Sequence, residues 1–129
     1  KRVILYTLGV LSISFMAFTS MNFDNNDCSI LHKGTFIYGN PGNEIKVVIK
    51  GKKHIEYHND GKYIIKSKLD WVNDCEYNMI MTKITIPHFP YEVGDVMNVK
   101  IDNVKGNKVY YTSTVKGQSW KGKFTKIGE

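Results

Sequence analysis

The stretch KHIEYHNDGKYIIKSKLDWV, residues 53–72, reads as two alternating segments around a tight turn. KHIEYH (53–58) sets His54, Glu56 and His58 on one face, with Ile55 and Tyr57 on the other. NDGK (59–62) carries Asp-Gly, which suits the positive φ of a hairpin turn. YIIKSKLDWV (63–72) places Ile65, Leu69 and Trp71 opposite Lys66, Lys68 and Asp70. A period of two, apolar against polar, belongs to a strand with one face in a core and one in water.

The same grammar continues on both sides. Upstream, GTFIY (34–38) and EIKVVIK (44–50) flank the breaker-rich GNPGN (39–43), and Ile45, Val47 and Ile49 form one apolar row. Downstream come EYNMIMTKITI (76–86), VMNVKIDNV (96–104), KVYYTSTVK (108–116) and WKGKFTKI (120–127). They are joined by the proline-bearing loop PHFPYEVGD (87–95) and the short turns KGN and GQS. No segment after residue 23 keeps helical periodicity. Eight short strands linked mostly by hairpins predict an all-β fold, an antiparallel up-and-down, lipocalin-like barrel whose closure removes exposed edges. The expected layout is a signal peptide or membrane anchor over 1–23, a pre-barrel segment over 24–33 and the barrel over 34–129.

A chain of 129 residues supports one domain. Its formal charge is +6, from 18 Lys and Arg against 12 Asp and Glu. Arg2 is its only arginine. A diffuse lysine surplus lacks the planar fork that reads bases and phosphates, so no nucleic-acid partner is expected. Lys1 and Arg2 precede an uncharged run from Val3 to Phe23. A basic start before such a run predicts an export signal. The alternative is a retained anchor, since the run is long enough to span a bilayer. The expected location is the bacterial cell envelope, periplasmic or extracellular, with membrane contact only through residues 1–23 if they are retained.

Export bears on Cys28 and Cys75. Two cysteines in a small exported domain usually pair. A bridge from residue 28 to residue 75 would contribute roughly 4 kcal/mol in the chain-entropy model. The alternatives are a reactive thiol, which needs a neighbouring base, and a zinc ligand, which needs further Cys or His at defined spacing.

The leader, the early cysteine, Gly34-Thr35-Phe36, the Trp71-x-x-x-Cys75-Glu76-Tyr77 segment and the Thr125-Lys126-Ile127 tail form one layout. It resembles a group of small exported proteins of Bacteroidetes-type bacteria with a lipocalin-like barrel. The resemblance spans about residues 28–127 and implies a barrel and export; it assigns no functional residue. Lipocalins proper open a strand with G-x-W, where this chain has Phe36. Members of the group often carry a lipidation cysteine at the end of the leader, and this chain has none there. A DNA topoisomerase label carried by some members finds no nucleotide-binding glycine loop in this chain.

Candidate sites follow from the barrel. The inward set includes Phe36, Tyr57, Trp71, Tyr111, Trp120 and Phe124, which would line a ligand cavity or simply fill the core. The loop residues His88, Phe89 and Tyr91 offer contacts to a partner, or a lid folded over one barrel end. His54, Glu56 and His58 are expected on a solvated polar face. A strand spreads residues i and i+4 by roughly 13 Å, so the two histidines cannot grip one metal ion together. No carboxylate pair or nucleophile motif stands out, so neither catalysis nor a cofactor is expected. The leading expectation is a noncatalytic binder of a small apolar or amphipathic ligand. The alternative is a protein–protein module with a filled core, an inhibitor or accessory subunit of an envelope complex.

Overall fold

The computed structural model describes residues 27–129. The proposed leader over 1–23 lies outside the described residues, as do the first residues of the 24–33 segment. Among the described residues no helix is long and apolar enough to cross a membrane.

Eight strands follow one short 3-10 turn, Cys28–Leu31. They are β1 (Lys33–Tyr38), β2 (Ile45–Lys50), β3 (Lys53–His58), β4 (Tyr63–Asn73), β5 (Glu76–Ile84), β6 (Val96–Lys105), β7 (Lys108–Val115) and β8 (Gln118–Gly128). Each pairs antiparallel with its sequence neighbours, and β8 returns to β1, so the sheet is a closed up-and-down barrel. The closing seam is short: Thr35, Phe36 and Ile37 pair with Gly128, Lys126 and Thr125 across a register shift. Gly34 sits at that seam with φ of 141°, and a Cβ there would lie 2.8 Å from the Gly128 carbonyl. Only glycine meets both demands.

Alternation sorts the side chains. Phe36, Val47, Ile49, Ile65, Leu69 and Tyr77 are at most 1 % exposed and form the heart of the core. Met79, Met81, Val99, Ile101, Val109 and Phe124 complete it. Outward positions carry the lysines: every described lysine is exposed except Lys126.

The two ends of the barrel differ. One end gathers the 3-10 turn, the β4–β5 turn and the C-terminus. There Leu31 is fully buried under the barrel floor, and Cys28 bonds to Cys75 with 5.2 Å between their Cα atoms. Asp27 caps the 3-10 turn by accepting from the Ser29 amide. His32 donates to the Asp74 carbonyl at 2.9 Å and stacks on Trp71 at 3.9 Å. Trp71 in turn meets Tyr77 edge to face at 4.9 Å. Lys126 reaches in from β8 to donate to the Ile30 carbonyl at 3.3 Å. This end is plugged. The other end carries the 39–44, 59–62 and 85–95 loops and is the mouth.

The bridge closes a loop of 47 residues and fastens the plug to the wall. Cys75→Ser should therefore remove roughly 4 kcal/mol of stability, lowering the melting temperature by on the order of 15 °C. Calorimetry of the folded variant checks this, and a loss under about 1 kcal/mol would show the plug to be held by packing alone.

Candidate functional site

β3 supplies the unexpected wall of the interior. His54, Glu56 and His58 point inward, not to solvent: His54 is 2 % and Glu56 7 % exposed. The cause is pairing. Directly opposed residues of antiparallel strands share a face. Glu56 lies opposite Val47 of β2 and Ile65 of β4; His54 lies opposite Ile49 and Ser67. With Val47, Ile49 and Ile65 in the core, the β3 carboxyl and imidazole must follow. Tyr57 is accordingly turned outward, where Lys46 Nζ lies 5.3 Å above its ring. Its expected place in the lining is corrected by this register.

The mouth opens into a cavity of about 180 Å³. Its polar side is made by Tyr38, His54, Glu56, His58, Tyr77 and Ser113. Its apolar side is made by Met79, Met81, Met97, Val99, Ile65 and the aromatic residues Tyr111, Phe124 and Trp120. Phe89 and Tyr91 from the 85–95 loop fold over the mouth, packed edge to face at 5.6 Å. Both rings pack against the core at the cavity's edge. His88, at φ of 59°, stays exposed.

Six residues expected to line a cavity thus part company. Tyr111, Phe124 and Trp120 border it. Phe36 is fully buried and meets the Phe124 ring at 6.2 Å. Trp71 belongs to the plug. Tyr57 is outside.

The rings are set by local fit. Tyr111 stacks on Phe124 at 4.3 Å with 24° between the ring planes. Tyr111 lies directly across from Gly122 of β8. A Cβ at residue 122 would overlap the Tyr111 ring, so glycine makes the recess in which that ring lies. Phe124 also meets Tyr38 edge to face at 5.6 Å.

The polar side is incompletely satisfied. The Tyr38 hydroxyl donates to Glu56 in a short hydrogen bond. His58 Nε2 lies 3.9 Å from the same carboxyl oxygen. Among the described residues, Tyr77 Oη, His54 Nδ1 and His58 Nε2 are buried with no hydrogen-bond partner, as is Ser67 Oγ outside the cavity lining. Such orphaned groups each cost about 1–3 kcal/mol. Burial moves the titrations. It holds the Glu56 carboxyl above the usual carboxylate range, against the lowering effect of the Tyr38 bond. It pulls His54 down to about 4 and lowers His58 as well. Burial also raises Tyr111 to about 12, helped by the Glu56 charge. No group of three or more His, Cys, Asp or Glu side chains among the described residues could hold a metal ion.

A neutral His54 has a measurable consequence. Its folded pKa of about 4 lies below its ordinary 6.5, so protonation favours the unfolded chain. The stability it conserves is full above pH 6.5 and lost as pH falls towards 4, on the order of 3 kcal/mol. Glu56, shifted upward, acts in the opposite sense above its ordinary value. His54→Leu should abolish the acid-side loss that His54 causes. Urea unfolding at pH 7 and pH 4.5 tests it: an unchanged acid loss in the variant would assign that loss elsewhere.

Gly122→Ala should displace the Tyr111 ring and cost about 1–3 kcal/mol, read as a lower urea midpoint. An unchanged midpoint would mean that the recess is not needed.

Comparison of the chain with protein-family models, with characterised proteins and with solved structures found no match, so a functional reading rests on the cavity and its lining.

Proposed function

We propose that this protein is a noncatalytic, lipocalin-like carrier that holds one small amphipathic molecule in the barrel mouth. One observation carries the reading: a cavity open at one end joins an apolar wall to buried polar atoms that have no partner among the described residues. A core under selection for stability alone would place apolar side chains at His54, Glu56 and His58, because unpaired buried polar groups are costly. A bound molecule would supply the missing hydrogen bonds.

Size limits the occupant. Drug-sized ligands use about 300–1,000 Å³. An apolar cavity of about 150 Å³ is enough for benzene. A space of about 180 Å³ suits one ring with a short polar arm. Methionine thioethers on β5 and β6 adapt to such a body, and stacked Tyr111 and Phe124 give it a flat neighbour.

Both cysteines are joined to each other, and the buried Ser67 hydroxyl has no base bonded to it. The disulfide fits an oxidising compartment, which supports export to the cell envelope.

Met97 stands half-buried beside Met79 on the cavity wall. Met97→Trp should fill the space and leave the barrel intact. A thermal-shift screen of single-ring alcohols, amines and acids should find compounds that raise the melting temperature of the wild type and not of this variant. Native mass spectrometry of protein isolated from its own cells should show a retained small molecule. Equal responses of the two proteins, with no retained mass, would defeat the reading.

A further inference from the structure

The cavity has a carboxyl group near its base, and no cation among the described residues balances it. Among the described residues, Glu56 meets only the Tyr38 hydroxyl and the His58 ring. The ion pairs made by described lysines are elsewhere: Lys116 with Asp95, Lys121 with Asp102 and Lys126 with Glu129. Lys126, the one described lysine that is not exposed, is committed to the plugged end.

The open polar atoms around Glu56 share one property. Tyr77 Oη is fully buried and can accept. His54 Nδ1 and His58 Nε2 can accept in their neutral rings. The neighbouring faces are aromatic: Tyr111 and Phe124 within, Trp120 and Tyr91 nearer the mouth. Ring faces carry the negative side of their quadrupole and attract cations. An anion placed here would face a carboxyl group and ring faces. A wholly apolar guest would leave Tyr77 Oη, His54 Nδ1 and His58 Nε2 without partners. An ammonium group, which only donates, matches every one of these groups.

Resting on the carrier reading above, we propose that the cavity selects a small protonated amine borne on one apolar ring. The ammonium group would donate to Glu56 and to Tyr77 Oη, and the ring would lie against Tyr111 and the methionines of β5 and β6. Charge-assisted hydrogen bonds in a site largely shut off from water supply the selectivity.

The groups facing Glu56 also define its pH response. They are Tyr38 from β1, His54 and His58 from β3, Tyr77 from β5 and Tyr111 from β7, while β2 and β4 present Val47 and Ile65. Burial favours the protonated carboxyl in the empty site. An arriving cation favours the carboxylate, so binding should release a proton and tighten as pH rises above the ordinary carboxylate range.

The test is isothermal titration of the full chain, disulfide intact, with 2-phenylethylamine, the neutral 2-phenylethanol and the anion phenylacetate. The expected result is at least tenfold tighter binding of the amine than of the alcohol, with no binding of the anion. Glu56→Gln keeps an acceptor for Tyr38 and should lose at least tenfold for the amine with little change for the alcohol. Tyr77→Phe, which removes one oxygen and no volume, should weaken amine binding several-fold and serves if Glu56→Gln fails to fold. Alcohol binding as tight as amine binding, with neither variant selective, would overturn the amine proposal and leave the carrier reading standing. No binding of any of the three to folded protein, together with equal responses of the wild type and Met97→Trp in the wider screen, would overturn both.

Discussion

A closed sheet of alternating strands allows each strand one choice of face, and its neighbours make that choice. β2 turns Ile45, Val47 and Ile49 inward, and β4 turns Ile65, Ser67 and Leu69 inward. β3 lies hydrogen-bonded between them. Its register leaves no alternative to an inward His54, Glu56 and His58, although Ile55 and Tyr57 would be cheaper to bury. The interior polarity of the barrel, the unsatisfied atoms at the cavity and the displaced titrations all descend from this constraint. A one-residue slip of β3 would reverse its faces, but would misalign it against both partners at once.

Much of the architecture is legible in the sequence. The eight alternating segments match β1 to β8 within a few residues, because turn residues such as Asn59-Asp60-Gly61 and Lys105-Gly106-Asn107 punctuate them. The pairing of Cys28 with Cys75 is likewise as expected from two cysteines in a small domain. The polar wall is missed by reading each strand alone. KHIEYH taken by itself assigns Ile55 and Tyr57 to the core by hydrophobicity. Taken with its hairpin, it cannot: a four-residue turn over 59–62 sets His58 opposite Tyr63 and Glu56 opposite Ile65. The signal was present in the turn length. Tyr77 and Ser113, by contrast, are recognisable as lining only once closure brings β5 and β7 around to face β3.

The aromatic residues divide by task rather than by type. His32 stacks on Trp71, which meets Tyr77 edge to face, and the three bind the plug to the wall. Tyr111, Phe124 and Tyr38 form a second cluster higher up, and glycine at 122 gives it room. Phe89 and Tyr91 make a third, carried on a loop. Tyr77 joins the first two: its ring packs on Trp71 while its hydroxyl borders the cavity. Composition alone cannot make that division, since a tyrosine in a strand looks the same in all three places.

The covalent staple at one end has a mechanical meaning. Cys75 sits at the tip of the β4–β5 hairpin and the bond ties that tip to the chain's entry into the barrel. Strand ends near it are clamped covalently, while those at the far rim are held by their ladders, by loop packing and by contacts such as the Lys116–Asp95 ion pair. Fluctuation is therefore graded along the barrel axis, with amide exchange slowest at the floor and fastest at the rim. The barrel is built as a cantilever, fixed at its base by a covalent bond and free of one at its rim.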